Sequence, residues 1–150
     1  MLLAKDIMTR EVVTAHESKS VRDLARTLAE HRISGVPVVD DRGKLVGVVT
    51  ESDLIDQAKK VHIPTVMTLF DFHIFLEKPE RLEKDLKKMA ASTVGDICNR
   101  KIKTVEQNTP LDEIATLMAE KNVHTLPVMD GDNLVGVIGK SDIIKTLIRD

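Results

Sequence analysis

The chain repeats itself, and this repeat constrains the fold more than any other feature of its 150 residues. Residues 6–40 align with residues 96–130 at a shift of 90, and residues 44–55 align with residues 133–144 at a shift of 89. Of these 47 aligned pairs, 17 are identical. A unit of about 55 residues buries too little surface to be stable alone. We therefore expect the two copies to pack with pseudo-two-fold symmetry, which leaves two related clefts between them.

Each copy predicts the element order β-α-β-β-α, and hence an α/β (α+β) fold. The first copy predicts these elements in order: a strand near Val12–Thr14, a helix with Ser20 as N-cap, strands Val36–Val39 and Leu45–Thr50, and a helix opening at Ser52. The second copy predicts the same elements: a strand near Ile102–Thr104, a helix capped by Thr109 with Pro110 as its first residue, strands Leu126–Met129 and Leu134–Gly139, and a helix opening at Ser141.

A segment of different chemistry separates the copies, so we divide the chain into residues 1–58, 59–91 and 92–150. The linker 59–91 first carries all three phenylalanines, at positions 70, 72 and 75, and then a predicted charged amphipathic helix with Leu82, Leu86 and Met89 on one stripe. It is too apolar for a flexible spacer. Two interpretations stay open: the linker packs over the core, or its phenylalanines form a subunit contact or cover one cleft.

Composition excludes several functions. Aromatic residues make up only 2% and the net charge is −2, so the chain has neither rings for stacking bases nor a basic field for a phosphate backbone. The single cysteine, Cys98, excludes a disulfide within the chain and a cysteine-based zinc site, and the five histidines have no metal-ligand spacing. No catalytic constellation stands out. Neither a signal sequence nor a membrane-length apolar run is apparent. We expect a soluble, cytoplasmic protein that binds no nucleic acid, membrane or metal and is not an enzyme.

One motif occurs in both copies at a strand-to-helix turn. It runs from Gly47 to Asp53 as GVVTESD, and from Gly136 to Asp142 as GVIGKSD. A helix N-terminus offers free N–H groups to a phosphate, and an aspartate in the first turn can accept hydrogen bonds from ribose hydroxyls. The same residues also suit plain helix capping, with Ser52 and Ser141 as caps and the aspartates complementing the helix dipole. Spacing alone does not decide between these interpretations.

The whole pattern resembles a pair of CBS domains, the tandem regulatory unit called a Bateman module. The resemblance covers about 115 residues, everything except the linker. It rests on the D-I-M and D-I-C openings, on HRISGVPVVD from His31, on VHTLPVMD from Val123, and on the G-x-x-T-x-x-D motif.

This resemblance implies a regulatory module that senses AMP, ADP or ATP, or less often S-adenosylmethionine. It also implies a homodimer with an isologous interface. A ligand-free protein–protein interaction or dimerisation module is the alternative. One implied site consists of Thr50, Asp53, His31, Arg32, Ile102, Lys103, Thr104, Val123 and His124. The other implied site consists of Asp142, Met8, Val13, Thr14, Ile33 and Ser34.

The second copy departs from the family pattern at two positions. Gly139 stands where the motif has threonine, and Asn122 stands where the first copy has Arg32. We therefore expect two unequal sites, with the Thr50 and Asp53 site the better one for a nucleotide.

Overall fold

A computed structural model of the chain describes residues 1–60, 66–69, 72–75 and 92–148, with side chains for residues 1–57 and 92–148. The described helices are α1 (Ala4–Ile7), α2 (Val21–His31), α3 (Glu51–Lys60), α4 (Val94–Ile97), α5 (Leu111–Glu120) and α6 (Lys140–Thr146). The described strands are β1 (Ala15–His16), β2 (Gly35–Val39), β3 (Leu45–Thr50), β4 (Val66–Leu69), β5 (Phe72–Phe75), β6 (Val105–Glu106), β7 (Thr125–Asp130) and β8 (Asn133–Gly139).

Two three-stranded sheets of identical topology confirm the predicted α/β fold with two repeats. Their strand orders are β1-β2-β3 and β6-β7-β8. In each sheet the short first strand runs parallel to the middle strand, and the middle strand pairs antiparallel with the third. Both middle strands carry a register shift at matching places, Val38/Val39 and Val128/Met129. The duplication seen in the sequence therefore extends to the details of strand pairing.

Some predicted element ends are wrong. Ser20 is an N-cap as predicted, since its hydroxyl accepts a hydrogen bond from the Asp23 N–H at 3.1 Å. Thr109 is not a cap, because its hydroxyl instead accepts from the N–H of Glu106 and α5 begins one residue after Pro110. The predicted first strands are displaced: pairing begins at Ala15 and Val105, just after the segments 12–14 and 102–104.

The opening segment of each copy packs onto the other copy. Thr9, just after α1, exchanges two backbone hydrogen bonds with Val137 in β8, at 2.8 and 3.0 Å. Asn99, just after α4, exchanges two with Val48 in β3, at 2.9 and 3.0 Å. Asn99 is the repeat equivalent of Thr9, so the exchange is symmetric. It ties the two halves together through main-chain hydrogen bonds.

Each hydrophobic core is therefore built from both copies. Ala4, Ile7 and Met8 from the chain start lie in the core of the second half. Val94 from α4 lies in the core of the first half, among leucine and valine side chains of α2, β2 and β3. The units that fold together are thus not the same as the units that repeat in the sequence.

The motif glycines make this exchange possible. A Cβ atom at position 47 would lie 2.8 Å from the Asn99 carbonyl oxygen and 2.9 Å from Cys98 Sγ. A Cβ atom at position 136 would clash with the side chain of Met8. Glycine at these two places is explained by the close approach of the exchanged segment, independently of any ligand.

In the sequence between the two repeats, β4 and β5 form an antiparallel pair from Val66↔Phe75 to Leu69↔Phe72. The predicted linker helix with Leu82, Leu86 and Met89, and the role of the phenylalanine side chains, lie outside the described residues. Within the parts of the chain that are described, we find no helix with the length and apolar character needed to span a membrane.

Candidate functional site

The first cleft lies where the end of β3 and the start of α3 face two loops of the second half. Its cavity volume is about 250 Å³. The first half contributes Val48, Thr50, Ser52 and Asp53, and the second half contributes Asn99, Lys101, Ile102, Lys103, Lys121, Asn122, Val123, His124 and Thr125. Six predicted residues are thus brought together: Thr50, Asp53, Ile102, Lys103, Val123 and His124.

Asp53 can cap its helix and still face a ligand. Its Oδ2 accepts hydrogen bonds from the Thr50 N–H at 2.8 Å and from the Thr50 hydroxyl at 3.2 Å. In the described part of the chain, Oδ1 accepts no hydrogen bond. The predicted cap at Ser52 is wrong, because α3 begins at Glu51 and Thr50 stands at the cap position. Capping and ligand binding are therefore compatible, since they use different oxygens of one carboxylate.

The second-half wall of this cleft carries cations and one unsatisfied ring nitrogen. Lys101, Lys103 and Lys121 are all exposed, and none forms an ion pair with a described carboxylate. The Nδ1 atom of His124 is buried and has no hydrogen-bond partner in the described residues. His124 also lines the groove between α5 and α6, so this nitrogen by itself assigns no ligand to the first cleft. The three lysines make the wall favourable for an anionic ligand.

The second cleft lies at the symmetric position and is larger, with a cavity volume of about 670 Å³. Its wall from the first half consists of Thr9, Glu11, Val13, Arg32, Ile33, Ser34, Gly35 and Glu51. Its wall from the second half consists of Thr125, Val137, Gly139, Lys140, Ser141, Asp142, Ile144 and Lys145. Four predicted residues, Asp142, Val13, Ile33 and Ser34, line it. Thr125 lines both clefts.

Asp142 is held differently from Asp53. Its Oδ2 accepts a hydrogen bond from the Gly139 N–H at 2.8 Å, which repeats the Asp53 cap. Its Oδ1 also contacts the Thr9 hydroxyl, at 3.5 Å. The predicted cap at Ser141 is wrong, because Gly139 holds the cap position and α6 begins at Lys140. In this cleft both carboxylate oxygens already have protein contacts.

The expected placement of Arg32 and His31 with Thr50 and Asp53 is wrong. Arg32 lines the second cleft, beside Ile33 and Ser34. Arg32 directly precedes Ile33 and Ser34, and successive Cα atoms are only 3.8 Å apart. These three residues therefore line the same cleft. His31 lines neither cleft, and its Nδ1 lies 3.0 Å from the Thr27 carbonyl oxygen of its own helix.

Three other predicted residues lie outside the clefts. Thr14 and Thr104 are exposed and line neither cleft, although each follows a lining residue in sequence. Met8 is 8% exposed and belongs to the second core. It packs against Gly136 instead of reaching the second cleft.

Sequence reasoning missed several charged residues of the two walls. Lys101 and Lys121 in the first cleft, and Glu11 and Glu51 in the second, were not predicted. The repeat alignment carried a signal for them, because Glu11 and Lys101 are equivalent positions of opposite charge. The described residues contain no group of three or more histidine, cysteine, aspartate or glutamate side chains placed to hold a metal ion.

Comparison with known proteins agrees with this architecture. The family described as CBS domain matches residues 4–60 and 94–149. The uncharacterised protein MJ1426 of Methanocaldococcus jannaschii is 31% identical over 156 aligned positions, which cover 99% of this chain and 92% of that protein. The chloroplastic CBS domain-containing protein CBSX2 of Arabidopsis thaliana is 29% identical, over 88% of this chain and 57% of that protein.

Two solved structures with named ligands are similar along nearly their whole length. A crystal structure of CBSX2 in complex with AMP superposes with a TM-score of 0.74 and 26% identity, covering 99% of this chain and 97% of the other. The CBS domain pair of protein MJ0100, in complex with 5′-methylthioadenosine and S-adenosyl-L-methionine, superposes with a TM-score of 0.72 and 26% identity. That match covers 97% of this chain and 99% of the other.

Proposed function

The chain belongs to the CBS-domain family, and from this premise we propose that it is a regulatory module that binds AMP, ADP or ATP. One observation carries the proposal: Asp53, whose Oδ1 accepts no hydrogen bond from the described residues, lines a cleft to which the other half contributes three lysines. The family relation supports a regulatory ligand-binding module, and the chemistry of this cleft favours an anionic nucleotide.

The proposed binding mode follows from the cleft wall. Asp53 Oδ1 accepts hydrogen bonds from the ribose hydroxyls. The aliphatic side chains of Ile102 and Val123 pack on the adenine, and the lysines face the phosphate. The described lining residues of this cleft include no phenylalanine, tryptophan or tyrosine. In the proposed mode, aliphatic contacts therefore take the place of aromatic stacking on the base.

Regulation would follow from the position of the cleft between the halves. A ligand that touches Asp53 on one side and Lys103 on the other stabilises the arrangement in which both contacts are made. A ligand shifts a conformational equilibrium only by such differential contacts. The chain itself needs no catalytic group for this role, and we expect no turnover of adenine nucleotides.

S-adenosylmethionine is the second candidate ligand. The MJ0100 domain pair binds it together with 5′-methylthioadenosine, and the second cleft of this chain balances three cations with three carboxylates. A cationic sulfonium compound meets less repulsion there than in the lysine-lined first cleft. Titration of S-adenosylmethionine against AMP distinguishes these candidates.

We also propose that the chain forms a homodimer through α3 and α6. Ile55 and Ile144, at equivalent positions of these helices, are each 60% exposed, and Leu147 just beyond α6 is 79% exposed. An apolar groove between α5 and α6, lined by Met118, Ala119 and Ile143 among others, continues this surface. A two-fold interface would cover both matching patches at once. A strict monomer in solution, with and without nucleotide, would contradict this proposal.

Isothermal titration calorimetry of the full chain with AMP, ADP and ATP tests the nucleotide proposal. We expect saturable binding and a rise in melting temperature that grows with ligand concentration. If neither a nucleotide nor S-adenosylmethionine binds, the chain is instead a ligand-free interaction or dimerisation module. Its regulatory effect would then be exerted on a partner protein.

The cytoplasmic location expected from the sequence stays a prediction.

A further inference from the structure

The two clefts differ in charge at equivalent positions. Lys101 lines the first cleft and its repeat equivalent Glu11 lines the second. Lys103 in the first cleft is matched by the uncharged Val13. The same backbone framework therefore presents a cationic rim on one side and an acidic or neutral rim on the other.

The full set of charged lining residues extends this contrast. In the first cleft three lysines face one carboxylate, that of Asp53, so the formal charge is +2. In the second cleft Arg32, Lys140 and Lys145 are matched by Glu11, Glu51 and Asp142, so the formal charge is zero. None of the three lysine ammonium groups forms an ion pair in the described residues. Within the described parts of the chain, no carboxylate competes with a ligand for these ammonium groups.

We propose that the first cleft selects its ligand by phosphate number, preferring ATP and ADP over AMP and AMP over adenosine, whereas the second cleft does not. This inference rests on the proposed function, namely that the clefts hold adenosine ligands. The selection acts through the excess of lysines on the second-half wall.

The expected preference is moderate because all three lysines are exposed. One exposed ion pair strengthens binding by about 1.5- to 5-fold. Three lysines acting on two additional phosphates then give ATP an advantage over AMP on the order of tenfold at low salt. Charges on the surface are screened over about 8 Å at physiological ionic strength. The preference should therefore shrink as salt is added, and the affinity for adenosine should not.

The test is calorimetric titration of the full chain with adenosine, AMP, ADP and ATP. Magnesium is omitted so that it does not neutralise the phosphates, and each series is run at low and at high salt. Asp142→Asn weakens the second cleft, so that titration of this variant reports the first cleft. Asp53→Asn weakens the first cleft, so that titration reports the second. The amide oxygen of asparagine retains an acceptor for the helix cap, and melting curves check that each variant is folded.

Two charge exchanges at equivalent positions provide the matched comparison. We expect Lys101→Glu to lower the ratio of ATP affinity to adenosine affinity in the first cleft by about 5- to 20-fold, since the change removes one positive charge and adds a negative one. We expect Glu11→Lys to raise the same ratio in the second cleft by a similar factor. Both positions are exposed, so neither substitution disturbs a core.

The outcomes separate this inference from the function beneath it. Equal affinities for adenosine, AMP and ATP in the first cleft would overturn the charge selection and leave an adenosine sensor standing. An unchanged ratio in Lys101→Glu would overturn the assigned role of the lysine wall. If none of the adenosine ligands binds in these titrations, both proposals are overturned.

Discussion

The two clefts share a backbone and differ in their side chains. In both, an aspartate three residues beyond the cap position accepts a hydrogen bond from the cap N–H at 2.8 Å. The cap residue is Thr50 in one and Gly139 in the other, and the first cleft is the smaller, about 250 Å³ against about 670 Å³. The first cleft places lysines at positions where the second has glutamate or valine. Duplication has thus preserved the helix cap while the chemistry of the walls has diverged.

This comparison changes the reason for expecting unequal sites. The sequence suggested that the second cleft lacks both a hydroxyl and a guanidinium. The structure places the Arg32 guanidinium in that second cleft. The Thr50 hydroxyl remains a difference, as the sequence suggested. The structure adds two more: the Asp53 Oδ1, which accepts no hydrogen bond from the described residues, and the excess of lysines in the first cleft.

The largest expected difference between the clefts concerns the two aspartates. We expect Asp53→Ala to weaken AMP or ATP binding on the order of ten- to a hundredfold, because a hydrogen bond to a charged group contributes about 1.5–3 kcal/mol. We expect Asp142→Ala to leave the tighter site intact. Calorimetry with both variants measures this difference. If Asp142→Ala alone abolished nucleotide binding, the ranking of the clefts would be wrong.

The junction glycines test whether the two halves are equally tightly packed. We expect Gly47→Ala to lower the free energy of unfolding by about 1–3 kcal/mol, because the new Cβ meets the Asn99 backbone carbonyl, which cannot easily move. Gly136→Ala should cost less, since the flexible side chain of Met8 is the nearest obstacle. Urea denaturation of both variants gives the comparison. If both variants lose the same free energy of unfolding, the two junctions accommodate an added Cβ equally well, and the expected difference is wrong.

The cap residues offer a way to make the clefts more alike. A Cβ at position 139 would meet its nearest neighbours, Asp142 Oδ2 and the His124 carbonyl oxygen, only at 3.9 Å. We therefore expect Gly139→Thr to fold normally. The new hydroxyl should donate to Asp142 Oδ2 as the Thr50 hydroxyl donates to Asp53 Oδ2, and by holding that carboxylate in place it should strengthen nucleotide binding in the second cleft by about two- to tenfold. The reverse change, Thr50→Gly, should weaken the first cleft comparably. Titrations in the Asp53→Asn and Asp142→Asn backgrounds report each cleft separately, and a second cleft unaffected by Gly139→Thr would refute the importance of the hydroxyl.

The smallest effect concerns Cys98, the repeat equivalent of Met8. Burial raises the pKa of the Cys98 thiol above its ordinary value of 9.0, and the negative charge of Asp53 adds to the increase while Arg100 opposes it. We expect iodoacetamide to alkylate the folded chain more slowly than the denatured chain at pH 8.

The same shift has a consequence for stability. Because the unfolded thiol ionises at lower pH than the folded one, the free energy of unfolding should fall slightly as the pH rises through 9. A Cys98→Ala variant, followed by thermal melting across this pH range, should lack that component. Identical pH profiles of the two proteins would show that the thiol contributes nothing.

Sequence analysis predicted most of the fold because the repeat and the strand patterns are local signals. The four main strands, β2, β3, β7 and β8, lie within one or two residues of their predicted ranges. Errors occurred where a local pattern competes with a longer-range contact. The segments 12–14 and 102–104 have the composition of strands. They follow residues that are bonded to the other half of the molecule, Thr9 and Asn99, and strand pairing within their own half begins only at Ala15 and Val105.

The candidate site likewise has features that the sequence predicts and features that it does not. The duplication, the resemblance to CBS domains and the motif that puts Asp53 and Asp142 near helix starts could be predicted from the sequence, because each is a pattern written along the chain. The folded structure was needed to show that Arg32 lines the cleft of Asp142, and that Lys101 and Lys121 line the cleft of Asp53. The opening segments cross between the halves, so each cleft combines residues far apart in sequence. Spacing along one chain does not encode that combination.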